Sequence, residues 1–153
     1  MNQKKLSYLG LFAAVAIIFG YVESLLPFFA GIPGMKLGLA NLAVLFILEK
    51  YTWKEAALVS IVRIIVIGFM FGNLFSILYS LAGAALSLAV MTFMKKKSGF
   101  SILGISVAGG VSHNIGQLII AGLITMTSGL IYYAPALLIS GVITGLLIGT
   151  LTS

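Results

Sequence analysis

Residues 55–71 read Glu55-Ala-Ala-Leu-Val-Ser-Ile-Val-Arg63-Ile-Ile-Val-Ile-Gly-Phe-Met-Phe71, an apolar run with one arginine in its middle. An arginine at the centre of a bilayer costs roughly 2.5–3.5 kcal/mol on insertion scales, and such residues usually face a bundle interior or a water-filled cavity. Nearly all remaining charge lies in loops, and Glu23 and Lys36 are the other exceptions, within or at the rim of apolar stretches. That pattern describes a membrane protein with a polar interior site, and it makes Arg63 a candidate functional residue.

Outside this run the chain is equally apolar. Its 153 residues are 61% hydrophobic and 8% charged, with a mean hydropathy of +1.20, more apolar surface than a soluble domain can hide. The length allows about six crossings at about 20 apolar residues each and leaves no room for a soluble domain. A β-barrel would alternate apolar and polar positions, whereas these stretches are apolar all round with interspersed Gly and Ala, as packed helices in lipid require. The expected fold is an all-α, six-transmembrane-helix bundle in a single membrane domain over 1–153, with spans at about 6–23, 36–50, 55–71, 74–94, 100–126 and 134–152. The first run follows Lys4 and Lys5 like a signal peptide but lacks a small-residue cleavage site, so a retained helix is expected. Between the first two spans, Ser24-Leu-Leu-Pro-Phe-Phe-Ala-Gly-Ile-Pro-Gly34 breaks the helix while staying apolar, as a re-entrant or capping loop does.

Charge orients the bundle. With the N-terminus in the cytoplasm, that side receives Lys4, Lys5, Lys50, Lys54, Lys95, Lys96 and Lys97, while Lys36 alone lies outside. Both termini are then cytoplasmic, and the net charge of +6 follows from lysines flanking spans rather than from nucleic-acid binding. A break of the fifth stretch at Gly109-Gly110 would change this count. The run Lys95-Lys96-Lys97 is an orientation signal that also touches anionic lipid. The absence of cysteine excludes disulfides, thiolate metal sites and iron–sulfur ligation.

Helix rise sets the depth of the polar residues. Glu23, Lys36 and Asn41 belong to the outer half, while Arg63 lies about 12 Å and His113 about 20 Å from the cytoplasmic starts of their spans. A pocket open to the outer face can collect all five. In the fifth span Ser106, Gly110, His113 and Gln117 share one helical stripe with Asn114 beside it. Each has a plainer reading: His113 and Gln117 as interhelical hydrogen-bond glue, Arg63 as a structural ion pair with Glu23, and Lys36 as a lysine snorkelling to the interface. The aromatic residues Phe28, Phe29, Tyr79, Tyr132 and Tyr133 read as an interfacial belt or as a stacking surface for a planar ligand. Together Lys36 and Arg63 against Glu23 leave one positive charge, which favours an anionic or amphipathic small molecule. Small residues at spacing four on the first span, Gly10 with Ala14 and Ala16 with Gly20, allow close contact with another helix.

Glu23 with the Pro27 loop, Pro33-Gly-Met-Lys-Leu-Gly-Leu-Ala-Asn41, the Arg63 span, Ser80-Leu-Ala-Gly83 and Ser112-His-Asn-Ile-Gly-Gln117 together resemble the Gx transporter family, often labelled heptaprenyl diphosphate synthase component I. The resemblance covers nearly the whole chain and implies kinship to the substrate-binding S components of energy-coupling factor transporters. In that class six helices hold a small ligand near the outer face, a loop after the first helix covers it, and small residues on the first helix touch a transmembrane coupling subunit. The resemblance thus implies a substrate-binding subunit of an uptake transporter, in a bacterial cytoplasmic membrane. Glu23, Lys36, Asn41, Arg63, His113, Asn114 and Gln117 would line its pocket, and Gly10, Ala14, Ala16 and Gly20 would meet the partner. The chain has no phosphate-binding loop of the Gly-x-x-x-x-Gly-Lys-Ser/Thr type, so ATP hydrolysis falls to separate ATPase subunits.

The synthase label can be weighed chemically. Prenyl elongation ionises an allylic diphosphate held by magnesium on clustered carboxylates. This sequence has no aspartate, and of its glutamates only Glu23 lies near the proposed pocket, since Glu49 and Glu55 flank a cytoplasmic loop. Catalysis by this chain is therefore not expected, and neither a metal nor a cofactor is called for. A rival reading is a non-catalytic membrane scaffold or accessory subunit of an isoprenoid, quinone or flavin-linked electron-transfer system.

Overall fold

Where apolar runs meet turn-forming residues, the chain starts and stops helices. The computed structural model describes residues 3–25, 38–97, 99–126 and 128–153. In chain order these form α1 (Gln3–Leu25), α2 (Leu39–Lys50), α3 (Trp53–Phe71), α4 (Leu74–Lys96), α5 (Ile102–Thr125), a 3-10 turn (Ser128–Tyr133) and α6 (Ala134–Thr152). No strand occurs among the described residues. Local chemistry fixes the starts: Thr52 caps α3 in a capping box with Glu55, Asn73 does the same for α4 with Ser76, and Ser101 Oγ accepts from Gly104 N at 3.1 Å. Although Gly109-Gly110 was a possible break point, α5 runs through it without interruption.

Among the described residues, four helical segments are long and apolar enough to cross a membrane: α1, α4, α5 and Gly129–Thr152, which contains α6. Their outward side chains, among them Leu11, Ile18, Phe75, Ile119, Leu123 and Leu151, are more than half exposed. A surface of that kind suits lipid rather than water, and the protein is a membrane protein. α3 has 19 residues but carries Lys54, Glu55 and Arg63.

The second helix, expected at about 36–50, is described from Leu39 to Lys50. Its 12 residues cover about 18 Å, less than a hydrocarbon core of about 30 Å, so α2 by itself does not cross. It is instead a core helix: Ala40, Ala43, Val44, Leu45, Ile47 and Leu48 are all nearly or fully buried. Lys36 and the loop with Pro27 and Pro33 lie outside the described residues.

Neighbouring helices run α1–α3–α4–α5–α6–α2 and back to α1, a closed ring, with α2 also touching α3. One end of the ring gathers the lysines. There Lys5 of α1 pairs with Glu55 of α3. Lys95 of α4 donates to the carbonyls of Leu48 and Glu49, at the latter over 2.9 Å, with the Glu49 carboxylate 3.6 Å away. A cation on the last carbonyls of α2 also complements its helix dipole.

The tightest seams use glycine. A Cβ on Gly116 would sit 2.8 Å from Ala82 O, and one on Gly145 2.5 Å from Val107 Cα. α4 and α6 therefore meet α5 backbone to backbone, as small residues permit in membranes. This places the polar stripe of α5 against the interior of the ring.

Candidate functional site

Away from the lysine-bearing end, the ring encloses a cavity of about 380 Å³ to which all six helices contribute. That volume lies at the small end of the range for ligand pockets, about 300–1,000 Å³. Arg63 is ten positions beyond the start of α3, about 15 Å along it, and faces the cavity half-buried. Its Nη2 donates to Asn41 Oδ1 at 2.7 Å, linking α3 to α2. Arg63 Nε is buried and has no hydrogen-bond partner among the described residues.

Asn41 is positioned by the start of α2. Gly38 precedes the helix with φ 77°, a left-handed conformation natural to glycine, and its carbonyl accepts from Asn41 N at 2.8 Å. Glu23, near the end of α1, lines the same cavity and its charge acts on Arg63. On α5, His113 lines the cavity half-buried, and Asn114 is buried with its Nδ2 donating to Leu137 O of α6 at 2.6 Å. Five of the expected residues, Glu23, Asn41, Arg63, His113 and Asn114, thus border one space.

Gln117 does not. It is buried at the seam between α5 and α4, where a Cβ on Gly83 would lie 3.0 Å from Gln117 Cγ. His113 also packs beside Gly83, its Cδ2 3.1 Å from where that Cβ would lie, and Gln117, one turn further along α5, is covered by α4. The small residues of α1 also divide. Gly10 and Ala14 are exposed, whereas Ala16 and Gly20 are buried, Gly20 facing Ile67 of α3 and bordering the cavity. Ala16 and Gly20 therefore pack within this chain and are not open to a partner helix.

Several cavity residues were not singled out as site residues by the sequence, although Ser24 opens the Pro/Gly loop and Ser80 lies in a segment of the resemblance. Ser24, Asn73, Ser76, Ser80 and Thr144 add hydroxyls and an amide to the wall. Asn73 and Ser76 read locally as cap residues, with Ser76 N donating to Asn73 Oδ1 at 2.9 Å, and their second role emerges only when the helices close. Below the cavity, toward the lysine-bearing end, a pocket of about 10 Å³ between Asn41, Ser87, Ser106 and Thr144 has room for about one water.

The space therefore offers a guanidinium, a carboxylate, an imidazole and several amides and hydroxyls inside an otherwise apolar bundle. Such a set can bind and orient a small polar or charged molecule through directional hydrogen bonds. A family model described as heptaprenyl diphosphate synthase component I matches residues 12–153. Comparison with curated proteins and with solved structures finds no match.

Proposed function

The chain belongs to the heptaprenyl diphosphate synthase component I family, and on that premise we propose that it is a membrane-embedded, S-component-like subunit that binds a small anionic or amphipathic molecule for an uptake transporter. The observation that carries this reading is the cavity around Arg63, to whose wall Glu23, Asn41, His113 and Asn114 also contribute. In this role Arg63, with Lys36, neutralises charge on the ligand, His113 and Asn114 supply directional hydrogen bonds, and Glu23 orients Arg63 or accepts a ligand donor. Six helices cross or enter a bacterial cytoplasmic membrane with the lysine-bearing end inside, so the cavity faces outward. Gly10 and Ala14, exposed on α1, are the small residues available to a transmembrane coupling subunit, and ATP hydrolysis belongs to separate ATPases.

The family description favours a second reading, an accessory membrane component of a prenyl diphosphate synthase without catalytic function of its own. The cavity weighs against it, because an ionisable residue that faces a cavity inside a membrane bundle points to a ligand or ion site by default. Affinity purification from the native membrane in mild detergent, with mass spectrometry of proteins and small molecules, separates the two. Under the transporter reading a coupling subunit, an ATPase and a retained small molecule co-purify, and Arg63→Ala loses the small molecule while staying folded and monodisperse. Recovery of a prenyl synthase without ATPases, or unchanged retention by the Arg63→Ala protein, overturns it.

A further inference from the structure

A second space lies outside the polar cavity. α3 and α4 are joined by the Gly72-Asn73 turn and touch close to it, where Gly68 lies against Ile77. Toward the lysine-bearing end a groove of about 700 Å³ opens between them, walled by Ala57, Ala84, Ala85, Leu88 and Ala89. Alanine side chains leave room where larger residues would close the seam. Ala85 and Ala89 are exposed, so the groove opens to the side, where the bilayer stands.

Its dimensions and ends are specific. From Trp53 at its mouth to Ile64 at its head is eleven residues of α3, about 16 Å. One leaflet of hydrocarbon, half of about 30 Å, has the same depth. Trp53 and Phe93 mark the mouth as an interfacial level. Lys96 lines the mouth, Lys54 stands 6.0 Å from the Trp53 ring and Lys97 4.8 Å from the Phe93 ring. The carboxylates of this end are engaged elsewhere, Glu55 by Lys5 and Glu49 by Lys95. Lys96 therefore lines the open end of a largely apolar slot about one leaflet deep, whose wall also carries the Ser60 and Thr92 hydroxyls, and Lys54 and Lys97 stand on the two rings at its mouth.

We propose that this groove holds an anionic phospholipid of the adjoining leaflet, with one acyl chain along Ala85 and Ala89 and the phosphate at Lys96, flanked by Lys54 and Lys97. Ile64 lines both the groove and the polar cavity and follows Arg63 in α3. A bound chain braces α3 from outside at the level where Arg63 enters the cavity.

Native mass spectrometry of the purified chain, exchanged into equimolar phosphatidylglycerol and phosphatidylcholine, tests the site. One phosphatidylglycerol per chain is expected to survive detergent removal, at least tenfold over phosphatidylcholine. Lys96→Gln combined with Lys54→Gln and Lys97→Gln is expected to abolish that preference while retention of the chain-shaped apolar part persists for both lipids. Ala89→Phe, and separately Ala85→Leu, fill the slot and are expected to lower retention of both lipids several-fold with unchanged helix content by circular dichroism. Equal retention of the two lipids by the unaltered chain, or undiminished retention in both filled variants, overturns the proposal. So does an isoprenoid diphosphate, rather than a phospholipid, as the species retained from native membrane.

Discussion

Replacing Asn41 with Ala probes the hydrogen bond that holds Arg63 across the ring. Arg63 Nη2 donates to Asn41 Oδ1 at 2.7 Å, and Arg63 Nε has no partner among the described residues. Hydrogen bonds to charged groups contribute about 1.5–3 kcal/mol in soluble proteins. Double-mutant cycles on interhelical hydrogen bonds in membrane proteins average only about 0.6 kcal/mol and reach about 1.7. Because the pair borders a cavity of about 380 Å³, water can replace part of what Asn41 supplies. The membrane range therefore governs, and the charge on Arg63 moves the value to its upper part, a coupling of about 1–2 kcal/mol. The perturbation is a cycle of Asn41→Ala, Arg63→Met and the double variant, read by reversible unfolding of the purified protein in mixed micelles. Asn41→Ala should destabilise, since it leaves the guanidinium short of an acceptor. Arg63→Met should be neutral or stabilising, because an apolar side chain replaces a charge in the interior. In the Met background, removal of Asn41 should cost less. Single effects that sum to the double within about 0.3–0.5 kcal/mol would refute the coupling.

Gln117→Met should leave retention of the cavity's small molecule unchanged, because Gln117 packs at Gly83 rather than on the cavity wall; co-purification with mass spectrometry reads it, and loss of the molecule would put Gln117 back in the site. Gly145→Val should destabilise by about 1–3 kcal/mol in the same unfolding assay, as expected for overpacking, since even a Cβ there would lie 2.5 Å from Val107 Cα. Lys5→Ala should change stability by less than about 1 kcal/mol, the range for ion pairs near the surface, because the Lys5 and Glu55 side chains remain 32% and 15% exposed. A larger loss would mean that the pair organises the junction of α1 and α3.

The helices were legible because long apolar runs are separated by short polar or glycine-bearing breaks, and the structure then shows what marks their ends. Thr52 and Asn73 cap, Gly72-Asn73 turns, and the apolar runs between such marks, lacking the alternation of a barrel strand, satisfy their backbone groups in lipid as helices. The exception, α2, shows what hydropathy misses. Its apolar residues match those of a span, but they are buried against α1, α3 and α6, and apolarity alone cannot tell lipid from protein as the surrounding medium. In the site, Arg63, Glu23 and His113 stood out because charge or titratable groups inside apolar runs are costly. Gln117 shares the stripe with His113 but is buried against Gly83 of α4, because spacing gives a shared stripe and not where a neighbouring helix covers it. Ala16 and Gly20 show the same limit: small residues allow close packing, and only the fold decides whether the neighbour is Ile67 of this chain or another protein.

The environment of Arg63 bears on why the residue is there. Placing it mid-membrane costs roughly 2.5–3.5 kcal/mol on insertion scales. One hydrogen bond to Asn41 returns about 1–2 kcal/mol by the reasoning above, and Nε finds no partner among the described residues. If bundle stability alone were served, an apolar residue of similar volume would do as well or better, as replacements of buried charges often do. The charge of Glu23 also acts on Arg63, yet a guanidinium whose Nε is unpartnered among the described residues, on a cavity that His113 and Asn114 also line, keeps a donor for a ligand. An anionic group entering the cavity would complete that set, and the free energy withheld from folding would then appear as affinity. Stability and binding should accordingly move in opposite directions in Arg63→Met: the apo protein is no less stable, and the small molecule is lost.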